Sequence, residues 1–392
     1  TGLIGYRLYK TLNGKTWNLV SDENVLKLKD VLLDLPTEPT FYRVSAVKTI
    51  SSANYESNWS NILGVSPVES TKRYLIVDGF NRNSGTASYQ GQNTPFSVIF
   101  GLALKSNNSA FDNVKNFAVT SELLNNYTGV FWFVGDEGTG DESISTLEQG
   151  YLKNYLESGG RLYISGSEIG YDLEAYGTPE DKAFYANYLK ADYFADNALS
   201  NTVMNVKSSI YDSLYMRIGQ VYAEDYPDAI LPVNGGELCL KYSNDNGAGI
   251  AYEGKFGNST QIGKMVYLAF PLETTADDTA FYRIIRKTVS FFEDAISSVE
   301  DNQIPQDFVI NNSYPNPFNS TTNLSFVLNT ISDVKVCIYN LLGQEIELIY
   351  DGTLEAGKYS YKFSNNSLSS GIYIASFKIN SKIYTNKLCL IK

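Results

Sequence analysis

The sequence predicts a multidomain chain in which an α/β unit built on a parallel sheet lies between two all-β units. Three observations predict this. The middle of the chain carries continuous apolar runs separated by helical periodicity, whereas both ends show short alternating segments punctuated by turn residues. The composition is 43% hydrophobic over 392 residues, enough for two or three cores. Charge divides along the same lines: residues 71–304 hold 17 basic and 30 acidic side chains, and the flanks are nearly balanced.

At the N-terminal end, Gly5-Tyr6-Arg7-Leu8-Tyr9-Lys10 and Trp17-Asn18-Leu19-Val20 alternate about an Asn13-Gly14 turn, a strong hairpin signal. Phe41-Tyr42-Arg43-Val44-Ser45-Ala46-Val47 and Glu56-Ser57-Asn58-Trp59-Ser60 follow. Residues 1–66 resemble the second half of a fibronectin type III sandwich. That resemblance implies a spacer role, with Tyr42 as a tyrosine-corner residue.

Residues 71–298 are read as the α/β unit. Arg73-Tyr74-Leu75-Ile76-Val77-Asp78, Val130-Phe131-Trp132-Phe133-Val134 and Arg161-Leu162-Tyr163-Ile164-Ser165 are apolar throughout, as strands buried on both faces must be. Ser145-Thr146-Leu147-Glu148 is a capping box opening a helix that Gly159-Gly160 would end. Strand, helix and strand in that order imply a right-handed crossover and parallel pairing. Thr178-Pro179 starts a further helix, and Phe281, Ile284, Ile285, Val289 and Phe292 keep helical spacing over 276–295.

Three strand ends carry acids or glycines: Asp78-Gly79-Phe80, Gly135-Asp136-Glu137-Gly138 and Gly166-Ser167-Glu168-Ile169-Gly170. Ligands of open α/β sheets bind beyond such ends. The last of the three has nucleophile-elbow spacing with Glu168 at its centre. With Phe270-Pro271-Leu272-Glu273, these segments resemble the class I glutamine amidotransferase-like domains that accompany xanthan-lyase-like proteins and N-acetylmuramoyl-L-alanine amidases. The resemblance implies a flavodoxin-like parallel sheet with helices on both faces.

Amidotransferases place cysteine at the elbow and a histidine in the late motif. This chain has Glu168 and Phe270-Pro271-Leu272-Glu273 there, and it contains no histidine at all. The expected triad is absent, so no catalytic residue is assigned, and Glu168, Glu273 and Asp78 are the only candidates. Two readings stay open. Asp78 and Glu168 cap turns by accepting from backbone amides; or Asp78, Glu137, Glu168, Asp172 and Glu273 line one cleft for carbohydrate or partner binding, or for carboxylate-dependent hydrolysis of polysaccharide or peptidoglycan. The absence of histidine excludes Ser-His-Asp and His-ligated zinc chemistry. The acidity excludes nucleic acid as a natural partner. It could attract calcium, but residues 136–142 lack EF-hand spacing, and no cofactor is assigned. No transmembrane segment is present in the sequence.

Residues 299–313 read as a linker. Beyond them, Tyr314-Pro315-Asn316-Pro317-Phe318 opens a series of strand-like runs with turns at Gly343 and Gly371, ending at Lys392. Val334, Val336 and Ile338 alternate with Lys335, Cys337 and Tyr339, the period of a half-buried strand. The segment 314–392 resembles the type A C-terminal sorting domain of the type IX secretion system and is expected to be an immunoglobulin-like sandwich of about seven short strands. The resemblance implies export by the type IX machinery to the outer-membrane surface or exterior of a Gram-negative bacterium. Because the chain starts at Thr1, the expectation is a truncated or processed N-terminus, with any amidase or lyase unit upstream. Three cysteines cannot form a disulfide framework, and pairing of Cys337 with Cys389 is left open.

Overall fold

The computed structural model describes residues 2–20, 36–51, 53–67, 72–82, 89, 91, 93–137, 142–294, 308–310, 313, 315–328, 331–340, 343–355, 357–365, 367–380 and 382–391. Tyr314 and Lys392 of the expected sorting motif, residues 138–141 of the acidic loop and most of the expected linker lie outside these. The chain divides into two compact units, Thr1–Glu300 and Asp301–Lys392.

The larger unit is organised by a 16-stranded sheet. At its centre, strand Arg73–Asp78 pairs in parallel with Ala110–Lys115 on one side and Gly129–Gly135 on the other. Gly129–Gly135 pairs in parallel with Arg161–Gly166, which does the same with Gly263–Leu268. These strands lack alternation because apolar side chains cover both faces. Leu75, Val77 and Trp132 contribute to one core, and Ile76, Phe131 and Phe133 to the other. Helix Thr146–Glu157 begins as its capping box predicts, with Ser145 and Glu148 exchanging backbone bonds. Thr178 does the same with Asp181 ahead of Pro179–Phe184. Helix Asp278–Phe292 starts where the Asp277 carboxylate accepts from the amides of Thr279 and Ala280, at 3.0 and 3.1 Å. It buries Phe281, Ile284, Ile285, Val289 and Phe292.

The expectation of a flavodoxin-like parallel sheet with helices on both faces, preceded by a separate fibronectin-like sandwich, is corrected. The sheet is mixed, and strands make up 42% of the structure against 20% for helices. Gly247–Gly254 joins Gly263–Leu268 antiparallel and continues through Glu237–Tyr242, Thr202–Asn205 and Tyr215–Arg217. At the other edge Leu63–Val65 pairs antiparallel with Ala110–Lys115 through Val65 and Asp112. By that route Thr40–Ile50 and Leu3–Thr11 extend the same sheet. The physical reason is length: the added strands between Ala191 and Arg217 are only three to five residues long and hold mixed burial, so no period marks them.

The smaller unit consists of a three-stranded and a four-stranded antiparallel sheet sharing one hydrophobic core. Phe308–Ile310, Thr322–Leu328 and Gly357–Phe363 form the first; Glu345–Leu354, Ser332–Tyr339, Gly371–Ile379 and Lys382–Leu390 form the second. Val334, Val336 and Ile338 are buried, as their alternation predicts. Cys337 is buried as well, beside a register shift between Val336 and Cys337. Cys337 faces Ser376 and Cys389 faces Ile372, so the two thiols sit apart along the sheet, and both are free.

Candidate functional site

The ends of three parallel strands bring acidic side chains together. Gly135 is the pivot at the second. It holds φ +60, and a Cβ there would sit 2.3 Å from the ring of Phe80, so only glycine lets the chain turn against that phenylalanine. The turn sends Asp136 and Glu137 back over the end of the first strand.

Asp78 is fully buried. Its Oδ1 accepts from Lys115 Nζ at 3.0 Å and from the Phe80 amide at 3.1 Å, and its Oδ2 accepts from Thr94 Oγ1 at 2.6 Å. Burial pushes this carboxyl up, against the opposing pull of Lys115. Glu137 Oε1 accepts from the amides of Asn81 and Arg82, holding the segment after Asp78 in place. Asp172 accepts from the amide and hydroxyl of Ser143 at 2.8 and 2.7 Å. These three acids act as anchors for the chain around the strand ends.

Glu168 differs from them. It is half-buried, and its side chain is not tied to the backbone amides of the turn. That bond falls to Asp228, whose Oδ2 accepts from the amides of Gly170 and Tyr171 at 2.7 and 3.3 Å. Gly170 is required for this approach, because a Cβ would lie 2.9 Å from that carboxylate and 2.5 Å from Tyr185 Oη. The Glu168 carboxyl is pushed up to about 7, first by burial and then by Asp196, Asp136 and Asp172, while Arg82 opposes them.

Behind Glu168 lie two deeper carboxyls. Glu224 Oε1 accepts from Ser167 Oγ at 2.5 Å and from the Tyr226 amide at 3.3 Å; Glu273 Oε1 accepts from Tyr222 Oη at 3.2 Å. Burial pushes both up to about 8. The second oxygens of Glu224, Glu273 and Asp228 have no hydrogen-bond partner among the described residues. Asp78 and Asp136 add to the upward push on Glu273, and Asp136 and Glu168 to that on Glu224.

Of the residues singled out in the sequence, Asp78, Glu168 and Glu273 thus belong to one electrostatically linked group. Asp172 adjoins it through Glu168, and Glu137 serves the backbone at its edge. Sequence reasoning missed Glu224, Asp228, Asp196 and Lys115. The run Glu224-Asp225-Tyr226-Pro227-Asp228 was visible as an acidic turn, but its contacts reach back 57 and 58 residues to Ser167 and Gly170.

In the smaller unit, the Asn-Pro-Phe entry clasps the last strand. Asn316 donates to the Lys387 carbonyl at 2.6 Å and accepts from the Cys389 amide at 2.8 Å. The Phe318 amide donates to the Cys389 carbonyl at 2.9 Å, and the Ile391 amide returns to the Phe318 carbonyl at 2.8 Å. Thr322 Oγ1 bonds the Pro315 carbonyl at 2.7 Å. Gly343 turns with φ +78, and Gly371 opens a strand opposite Leu390.

No curated protein matches the chain. Among solved structures, it is similar to dimeric latent PorU from Porphyromonas gingivalis at 10% identity, covering 51% of this chain and 18% of that one, with a TM-score of 0.18. The FMN-binding beta-glucuronidase from Facaelibacterium prausnitzii L2-6 aligns at 10% identity over 99% and 69% of the two chains, with a TM-score of 0.20. The thioester domain of the Enterococcus faecium TIE86 protein aligns at 10% identity over 50% and 94%, with a TM-score of 0.11. Likenesses this slight carry no argument about this chain. Among the described residues no helix is long and apolar enough to cross a membrane. The resemblances of residues 1–66 and 72–295 gain no support from these comparisons. Residues 312–392 match the family model described as the secretion system C-terminal sorting domain, which marks the protein as one exported through the type IX secretion machinery.

Proposed function

We propose that the larger unit, with residues 71–298 at its centre, is an extracellular binding module for carbohydrate, carried to the cell surface or released by the sorting tail. The observation that supports this is Glu168. It stands half-buried at the end of a parallel strand, its carboxyl has no backbone hydrogen bond among the described residues, and the charges of Asp196, Asp136 and Asp172 act on it. A carboxyl without a hydrogen-bond partner among the described residues can accept from sugar hydroxyls. Binding of the full chain to a glycan array, wild type against Glu168→Gln, tests the reading. Loss of a bound glycan in the variant supports it; unchanged binding counts against the site.

A second reading is favoured by the same side chain. A carboxyl pushed up to about 7, chiefly by burial, has the property of a general acid, and glycosidic hydrolysis needs only two carboxyls. Release of reducing ends from polysaccharide or peptidoglycan, abolished by Glu168→Gln, would favour a hydrolase. Absence of turnover with retained binding favours the module.

A further inference from the structure

The N-terminal strands and the segment ahead of helix Ser97–Ser106 border a cavity of about 460 Å³, lined by Tyr9, Glu56, Ser57, Asn58, Trp59 and Asn93. That volume lies within the range of small-ligand sites. The aromatic wall is Trp59, which is 46% exposed. The Arg43 guanidinium stands 3.2 Å from the centre of this indole and covers one of its faces, so the opposite face and the edge are what the ring presents to the cavity. Trp17 closes the far side of Arg43 at 3.9 Å. A ring already stacked in this way loses little freedom when a ligand lies on it.

The polar lining narrows the ligand. Its charged residue, Glu56, is already satisfied: Arg7 donates to Oε2 at 2.6 Å, and the Tyr9 and Ser45 hydroxyls donate to Oε1, the first at 2.7 Å. A charged ligand therefore finds no counter-ion here. Asn93 Nδ2 donates to the Trp59 carbonyl at 2.7 Å, which fixes the amide and leaves its Oδ1 without a donor among the described residues. The Trp59 indole N–H likewise has no acceptor among them. One acceptor and one donor thus stand unused beside an aromatic wall. A pyranose matches that set, with an apolar ring face for the indole and hydroxyls that both donate and accept. A proline-rich strand also packs on tryptophan, but proline has no N–H to give Asn93.

We infer that this cavity is a separate glycan site, taking one uncharged sugar ring stacked on Trp59 with a hydroxyl donating to Asn93 Oδ1. It shares no residue with the acids around Glu168 and does not rest on that reading. Titration calorimetry of the full chain carrying Glu168→Gln, which takes the strand-end carboxyl out of play, tests this with cellohexaose, an N-acetylglucosamine hexamer and decaproline. One or both sugars should bind, with an affinity insensitive to salt because no ion pair forms. Adding Trp59→Phe, which keeps a ring against Arg43 but removes the indole N–H, or Asn93→Ala should weaken that binding about threefold to tenfold. Sugar binding that neither change touches overturns the assignment, as does binding of decaproline alone. Sugars that bind the wild-type chain but not the Glu168→Gln chain overturn it too, and leave the strand-end reading standing. Sugars that bind neither chain also overturn it.

Discussion

Lys115 Nζ lies 3.0 Å from Asp78 Oδ1, with Asp78 fully buried and Lys115 nearly so, and this ion pair holds the first strand end. Lys115 also donates to the Phe80 carbonyl at 3.0 Å, which ties the turn after Asp78 to the neighbouring strand. A buried pair of this kind is costly to break from one side, because the survivor is left charged and unsatisfied. Lys115→Met is therefore expected to destabilise the larger unit by about 3–5 kcal/mol, and the double change Lys115→Met with Asp78→Asn by clearly less. Urea unfolding of the single and double variants checks this; a single variant within about 1 kcal/mol of wild type would contradict it.

Glu224 and Glu273 make stability depend on pH. Their carboxyls titrate at about 8 in the fold against an ordinary value of 4.5. Between those values the unfolded chain has released protons that the folded chain still holds, so stability falls as pH rises from about 4.5 to about 8. Below that window both states are protonated, and above it both are ionised, so neither side adds to the slope. Each group contributes at most about 1.4 kcal/mol per pH unit. Melting curves of Glu273→Gln, which keeps an acceptor for Tyr222, should show a flatter decline from pH 5 to 8 than wild type. Identical slopes would mean that Glu273 is not held protonated.

The parallel core was legible in the sequence because continuous apolar runs such as Val130–Val134 have one structural meaning once Gly and capping residues bound them. The tail was legible because Val334, Val336 and Ile338 alternate. The outer strands of the antiparallel half were not, since Thr202–Asn205 and Tyr215–Arg217 are too short to show a period. The carboxyl cluster was half legible. Glycine turns located Asp78 and Glu168 but at the middle turn pointed to Glu137 instead of Asp136, and nothing local distinguishes Glu224 or Asp228 from surface acids. Their burial is a property of a chain returning across the strand ends more than 50 residues later.

Arg43 lies between two indoles, 3.9 Å from the ring centre of Trp17 and 3.2 Å from that of Trp59. Ser57 and Ser60 hydroxyls accept from the amides of Ala46 and Val44, both at 2.9 Å, and so hold Trp59 against the strand that carries Arg43. Stacking between planar groups depends on the guanidinium, not on charge alone. Arg43→Lys is expected to cost about 1–2 kcal/mol, and Arg43→Ala somewhat more. Tryptophan fluorescence during denaturation measures both; a lysine variant as stable as wild type would show that charge suffices.

Asn316 and Phe318 determine how the sorting tail is closed. Asn316 makes two bonds to the final strand, to the Lys387 carbonyl and the Cys389 amide, while Phe318 is 3% exposed and packs 6.0 Å from Phe363. The two side chains contribute differently. Asn316→Ala removes partly solvated hydrogen bonds worth about 1–2 kcal/mol together, and water can replace them. Phe318→Ala opens a cavity in a small core and is expected to cost about 3–5 kcal/mol, a large share of what so small a unit possesses. If the export machinery reads the folded tail, Phe318→Ala should leave the protein inside a type IX-competent cell, and Asn316→Ala should export at reduced yield. Immunoblots of supernatant, surface and periplasmic fractions would show the order. Full export of the Phe318 variant, with its tail shown to be unfolded, would mean that the machinery reads the extended sequence instead.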